Sequence, residues 1–156
     1  MRKRIIGPAV AASGSSPKWM DLEEMATIEV TSEAPDFPVE SVFVPGSNNG
    51  WRATVAGEQT LRVIFDEPTS VSVIELHFAE VELERTQEFR LGWSAAEGGP
   101  THEIVRQQWS FSPQGSTQEV EHYDVNLDRV SAIELSINPD ISDRNAKATL
   151  LKWRMG

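Results

Sequence analysis

Apolar and polar residues alternate along most of this chain. Leu61, Val63 and Phe65 are interleaved with Arg62, Ile64 and Asp66, which puts the first three on one face of an extended segment. The same period recurs at Ile74, Leu76 and Phe78, and again at Phe89, Leu91 and Trp93 with Glu88, Arg90 and Ser94 opposite. It returns at Tyr123, Val125 and Leu127, and at Ile133, Leu135 and Ile137. Strands are therefore predicted over 27–31, 61–66, 71–78, 88–94, 102–111, 117–127, 131–138 and 146–155. Asn48-Asn49-Gly50, Asp66-Glu67-Pro68, Gly98-Gly99 and Ser112-Pro113-Gln114-Gly115 read as turns between strands. Pro38 opens one short helical turn near 38–43, and little else has helical period. The pattern predicts an all-β domain of antiparallel sheets, each burying one face, as a sandwich or barrel.

Composition narrows the function classes. A chain of 156 residues fits one domain with a core of useful size. It has no cysteine, which excludes disulfides, thiol nucleophiles and thiolate metal sites, and favours a reducing compartment such as the cytoplasm over secretion. Its formal net charge of −10 opposes nucleic acid and anionic membrane surfaces as partners but leaves neutral sugars, peptides and cations open. No apolar run approaches the roughly 20 residues that cross a bilayer. Met1-Arg2-Lys3-Arg4 precedes an apolar stretch broken by Gly7 and Pro8, a poor match to a signal peptide. Residues 1–19 are expected to be a disordered tail or extension, and 20–156 a single domain.

The order of segments from about 25 to 155 resembles the discoidin-like, or galactose-binding-like, β-sandwich family, a jelly-roll fold. The resemblance is carried by the strand and proline-rich loop at 27–42 and by the loop Trp51 followed by Gln59-Thr60-Leu61-Arg62-Val63-Ile64-Phe65. Val71-Ser72-Val73-Ile74-Glu75-Leu76, then Phe89-Arg90-Leu91-Gly92-Trp93-Ser94 with Glu97-Gly98-Gly99, and the closing strands at 132–137 and 149–153 continue it. The terminal cysteine pair of secreted members is absent. Trp51-Arg52-Ala53 with Ala56-Gly57-Glu58 is also similar to the N-terminal domain of the eukaryotic single-strand-break repair scaffold, which shares the fold. The resemblance implies a non-catalytic binding module whose ligand, a carbohydrate or related polar molecule, sits in loops at one end. Loops 46–52 and 80–87 are the candidates, with 107–115 joining them. An intracellular protein–protein interaction module of the same fold is the alternative.

The side chains agree with binding more than with catalysis. No nucleophile elbow or phosphate loop is present, and His77, His102 and His122 lack metal-ligand spacing. Sugar recognition needs an aromatic face and amide or guanidinium donors. Arg52, Arg85, Gln87, Arg106, Gln108 and Trp109 are the candidate ligand-binding residues. Trp51 and Trp93 are expected in the core, and Trp109 and Phe111 share a strand face with Val105, so Trp109 is a candidate for core as well as for platform. No cofactor is expected. Glu82, Glu84, Asp140 and Asp143 are the acidic positions that would suit a structural calcium ion, against the plainer reading of solvated loops.

Overall fold

The computed structural model describes residues 19–96, 98–142 and 145–156. The expected extension up to residue 18, Glu97 of the predicted hairpin loop and the candidate metal ligand Asp143 lie outside the described residues. The elements are α1 (Leu22–Met25), β1 (Ala26–Val30), a 3₁₀ turn (Val39–Val42), β2 (Trp51–Arg52), β3 (Gln59–Ala79), β4 (Arg85–Ser94), β5 (His102–Phe111), β6 (Gln118–Asn138), β7 (Thr149–Leu150) and β8 (Lys152–Met155).

Two long strands, β3 and β6, organise the molecule. Their antiparallel ladder breaks register between Ile64 and Val73, and the strands on either side of the break have different neighbours. Before it, β3 pairs with β1 and β6, and β6 pairs with β4, which carries β5, giving the order β1-β3-β6-β4-β5. Beyond it, β3 pairs with the first half of β6 on one side and with β8 on the other. The ribbon folds at the break and brings its two halves together. Phe78 from the second half of β3 lies 5.2 Å from Phe89 of β4, ring to ring. The core between the halves takes Leu61, Val63, Ile74, Leu76, Leu91, Ile133, Leu135 and Ile137, all fully buried. The inward faces predicted from alternation are the observed ones except at the end of β4, where a register shift after Leu91 buries Ser94 in place of Trp93.

The break corrects two predicted boundaries. Asp66-Glu67-Pro68 does not end a strand, and 117–127 and 131–138 are one strand, not two. Polar residues, a proline without an N–H, and Arg129 at φ 56° all suit a bulge, where ladder bonds are interrupted and side chains face water. The predicted last strand also divides, at Leu151, whose N–H donates to the His77 carbonyl instead. Tyr123, Val125 and Leu127 are only half-buried because this stretch of β6 is the edge of the smaller layer. Trp93, expected in the core, is likewise half-buried and packs on the His102 ring at 4.8 Å. Trp19, assigned to the extension, lies 4.5 Å beneath the Arg154 guanidinium.

A separate ribbon of β2 and β7 positions the candidate site. Trp51 pairs with Leu150 and Arg52 with Thr149, and the Ala53 N–H to Ala148 carbonyl bond extends the contact. Trp51, Ala53, Ala148 and Leu150 are buried, so Arg52 and Thr149 face the other way. Gly50 leads into the ribbon at φ 75°, where a Cβ would stand 2.7 Å from the Leu150 carbonyl oxygen.

Candidate functional site

The loops 48–53, 79–83 and 145–151 enclose a cleft of about 400 Å³. Its floor is the outer face of the β2–β7 ribbon. Arg52 is exposed, and its guanidinium carbon lies over Phe37, 4.2 Å from the ring centre, a cation–π contact that anchors the side chain. Lys147 sits on the same face as Thr149, two residues along. Among the described residues neither Arg52 nor Lys147 has a carboxylate within ion-pairing distance. One wall carries Glu80 and Glu82, with Val81 and Leu83 turned to solvent.

Arg85 lies just beneath that wall. It is 3% exposed and every direction of its guanidinium is occupied. Nε donates to Glu80 Oε1 at 2.7 Å, Nη2 to Thr149 Oγ1 at 3.1 Å, and Nη1 to the Pro139 carbonyl at 2.8 Å and to Gln87 Oε1 at 3.4 Å. Its guanidinium carbon lies over Phe111, 4.9 Å from the ring centre. Burial alone would raise the Glu80 carboxyl, but the Arg85 hydrogen bond, the Glu82 backbone N–H and the Arg85 charge override it and hold the group below its ordinary range. Gln87, fully buried, passes the network inward: its Nε2 donates to Glu119 Oε1 at 2.8 Å.

The structure thus divides the sequence candidates. Arg52 lies in the cleft. Arg85 and Gln87 are interior, their hydrogen-bonding capacity taken up by protein groups. Arg106 and Gln108 are on the outer face of β5, where Glu88 accepts a hydrogen bond from Gln108 at 2.8 Å and forms an ion pair with Arg106 at 3.5 Å. Trp109 is half-buried against the core and its Nε1 donates to Ser116 Oγ at 3.1 Å. No residue of 107–115 lines the cleft. Glu82 lines it, Glu84 is exposed beyond it, and Asp140 Oδ1 accepts from the N–H and hydroxyl of Ser142. Among the described residues no three histidine or acidic side chains are grouped to hold a metal.

Lys147 and Thr149 were not among the sequence candidates. The signal was there: Ala146, Ala148 and Leu150 alternate with them as buried positions. A second hollow of similar size crosses the outer sheet face at Glu29, Arg62 and Glu134. Its charges satisfy one another, Arg62 bonding Glu29 at 2.7 Å and Glu134 at 2.9 Å, unlike Arg52 and Lys147 of the cleft.

No protein-family model and no curated protein matches this chain. Solved structures do. The family 32 carbohydrate-binding module of NanJ from Clostridium perfringens, determined with galactose, superposes with a TM-score of 0.64 at 16% identity, over 88% of this chain and 96% of that one. CpGH89CBM32-5 from the same organism, determined with GalNAc-β-1,3-galactose, gives 0.67 at 11% identity, over 88% and 99%. The family 32 module of AlyQ, determined with 4,5-unsaturated mannuronic acid, gives 0.61 at 12% identity, over 85% and 95%. The chain has the discoidin-like, galactose-binding-like β-sandwich fold.

Proposed function

We propose that this protein is a non-catalytic carbohydrate-binding module and that its sugar occupies the loop-end cleft. The observation that carries the reading is Arg52, set over Phe37, with Lys147 on the same face and, among the described residues, no carboxylate ion-paired to either. In a chain of net charge −10 these two cations mark a local site for an anion. The planar fork of a guanidinium matches a carboxylate with two parallel hydrogen bonds. A sugar bearing a carboxylate, a uronate, fits better than a neutral hexose, and the solved relatives include modules bound to both kinds. The cleft has no exposed aromatic platform, since Trp51 is 1% exposed and donates its Nε1–H to the Ser32 carbonyl. Polar contacts therefore carry more of the recognition here than ring stacking.

The acidic groups support binding over hydrolysis. Glycoside cleavage needs a protonated carboxyl and a second carboxylate flanking one bond. Glu80 is held ionised by Arg85, which removes it as a proton donor and leaves Glu82 without a partner in the cleft. Titration calorimetry with galacturonate and galactose tests the reading. Galacturonate binds the wild type, and Arg52→Ala weakens it by tenfold or more. No heat with either sugar, or unchanged binding by Arg52→Ala, overturns it.

A protein partner is the second reading. It is favoured by Val81 and Leu83, 67% and 53% exposed on the loop that walls the cleft. On that reading, Val81→Ser with Leu83→Ser abolishes partner binding and leaves galacturonate binding intact.

A further inference from the structure

Every polar group of the buried network under the cleft has a hydrogen-bond partner except one carboxylate oxygen, Glu119 Oε2. Glu119 is fully buried on β6. Its Oε1 accepts from Gln87, while Oε2 receives no donor. An ionised carboxylate left so would be costly in the interior. The carboxyl of Glu121 is the next group on the same face of β6, and its own Oε2 already accepts the Tyr123 hydroxyl at 3.1 Å. Placing a proton on Glu119 Oε2 turns the orphan oxygen into a donor to Glu121 and satisfies the cluster. The charged and titratable groups facing Glu119 are Glu121 and Tyr123 from its own strand and Arg85 from β4. Across the ladder, β3 places Phe78 opposite it.

The network is continuous from this pair to the cleft. Glu119 accepts from Gln87, Gln87 accepts from Arg85, and Arg85 grips Glu80 of the wall and Thr149 of the floor. We infer that Arg85 is a positioning residue for the cleft, and that through Gln87 it couples the cleft wall to the protonation of the buried Glu119 beside Glu121. Loss of the proton leaves a buried negative charge on Glu119, and Arg85 is the cation that acts on it. The guanidinium is drawn inward, and its 2.7 Å bond to Glu80 loosens. Burial first, and then the hydrogen bond and charge of Glu121, raise the Glu119 carboxyl to about 8, against opposing pulls from Gln87 and Arg85. The change therefore falls at mildly alkaline pH.

The inference concerns the cleft proposed above as the sugar site, but its first test needs no sugar. Carbon-detected NMR follows the side-chain carboxyl carbons of Glu80 and Glu119 from pH 6 to 10 in the full chain. In the wild type both resonances move with one midpoint near 8, although Glu80 itself is ionised throughout. In Glu119→Gln the Glu80 resonance stays flat over this range. A Glu80 resonance that is flat in the wild type while Glu119 titrates overturns the coupling, and so does a Glu119 midpoint in the ordinary carboxylate range. Galacturonate binding supplies the second readout. Its affinity falls by roughly fivefold or more between pH 7 and pH 9.5 in the wild type, the low end of usual coupling between sites, and not in Glu119→Gln. Equal falls in both proteins overturn the coupling. Absence of binding at every pH counts against the sugar site, and the carbon resonances still decide the coupling.

Discussion

Glu119→Gln is predicted to stabilise the fold, and by an amount that depends on pH. The amide keeps the acceptor that Gln87 uses and supplies an N–H toward Glu121, so no contact of the protonated carboxyl is lost. What changes is the proton. The folded-state carboxyl titrates at about 8 against an ordinary value of 4.5, so between these pH values the folded state binds a proton that the unfolded state has released. Stability is then full below 4.5 and declines as pH rises toward 8, at about 1.4 kcal/mol per unit. At pH 7 the wild type has lost at most about 3 kcal/mol, a ceiling that strand relaxation and water entry lower. Gln avoids that loss. Urea denaturation at pH 4, 5.5, 7 and 8.5 measures it. The two proteins are expected to be equally stable at pH 4, with the variant ahead by roughly 2–3 kcal/mol at pH 7. A difference that is the same at every pH would refute the reasoning, because it would place the effect in packing and not in the proton.

Glu75 has the opposite sign. Burial would raise it, but hydrogen bonds from His77, Arg154 and His122 hold it at about 2, so it contributes stability above pH 4.5 that is lost as pH falls toward 2. With partly exposed partners, Glu75→Gln costs roughly 1–2 kcal/mol at pH 7 and nothing near pH 2, read by the same denaturation series. Gly92→Ala drives a methyl to 2.5 Å from Thr101 Cγ2 and lowers stability by about 1–3 kcal/mol, and adding Thr101→Ser, which removes that carbon, recovers part of the loss. Gly50→Ala combines a left-handed backbone with a 2.7 Å approach to the Leu150 carbonyl, costs about 2 kcal/mol or more by thermal unfolding, and weakens galacturonate binding as the β2–β7 ribbon shifts.

The sheet faces were legible because burial on one side enforces period two. Leu61 to Phe65 and Ile133 to Ile137 read directly as core. The strand ends were less so: Asp66-Glu67-Pro68 has the chemistry of a turn and also that of a bulge, and only pairing across the ribbon separates the two. α1 escaped notice because one helical turn carries too little periodicity to register. Among the candidate residues, Arg52, next to the ribbon tryptophan, is placed in the cleft. Arg85 and Gln87 were chosen for the right chemistry in the wrong direction, since a donor facing a ligand and a donor satisfying a buried acid look alike in one dimension. The interior role of Glu119 was missed, although Glu119 and Glu121 continue the period-two face of Tyr123, Val125 and Leu127, because a carboxylate on an inward face reads by type as an exposed residue.

The most direct test of the central claim is chemical-shift mapping of the full-length chain titrated with galacturonate. The account predicts saturable shifts confined to residues 48–53, 79–83 and 145–151, with Arg52 and Thr149 among the largest. Saturable shifts instead on the outer sheet face around Arg62, Arg90 and Glu134, or none at millimolar sugar, would contradict it.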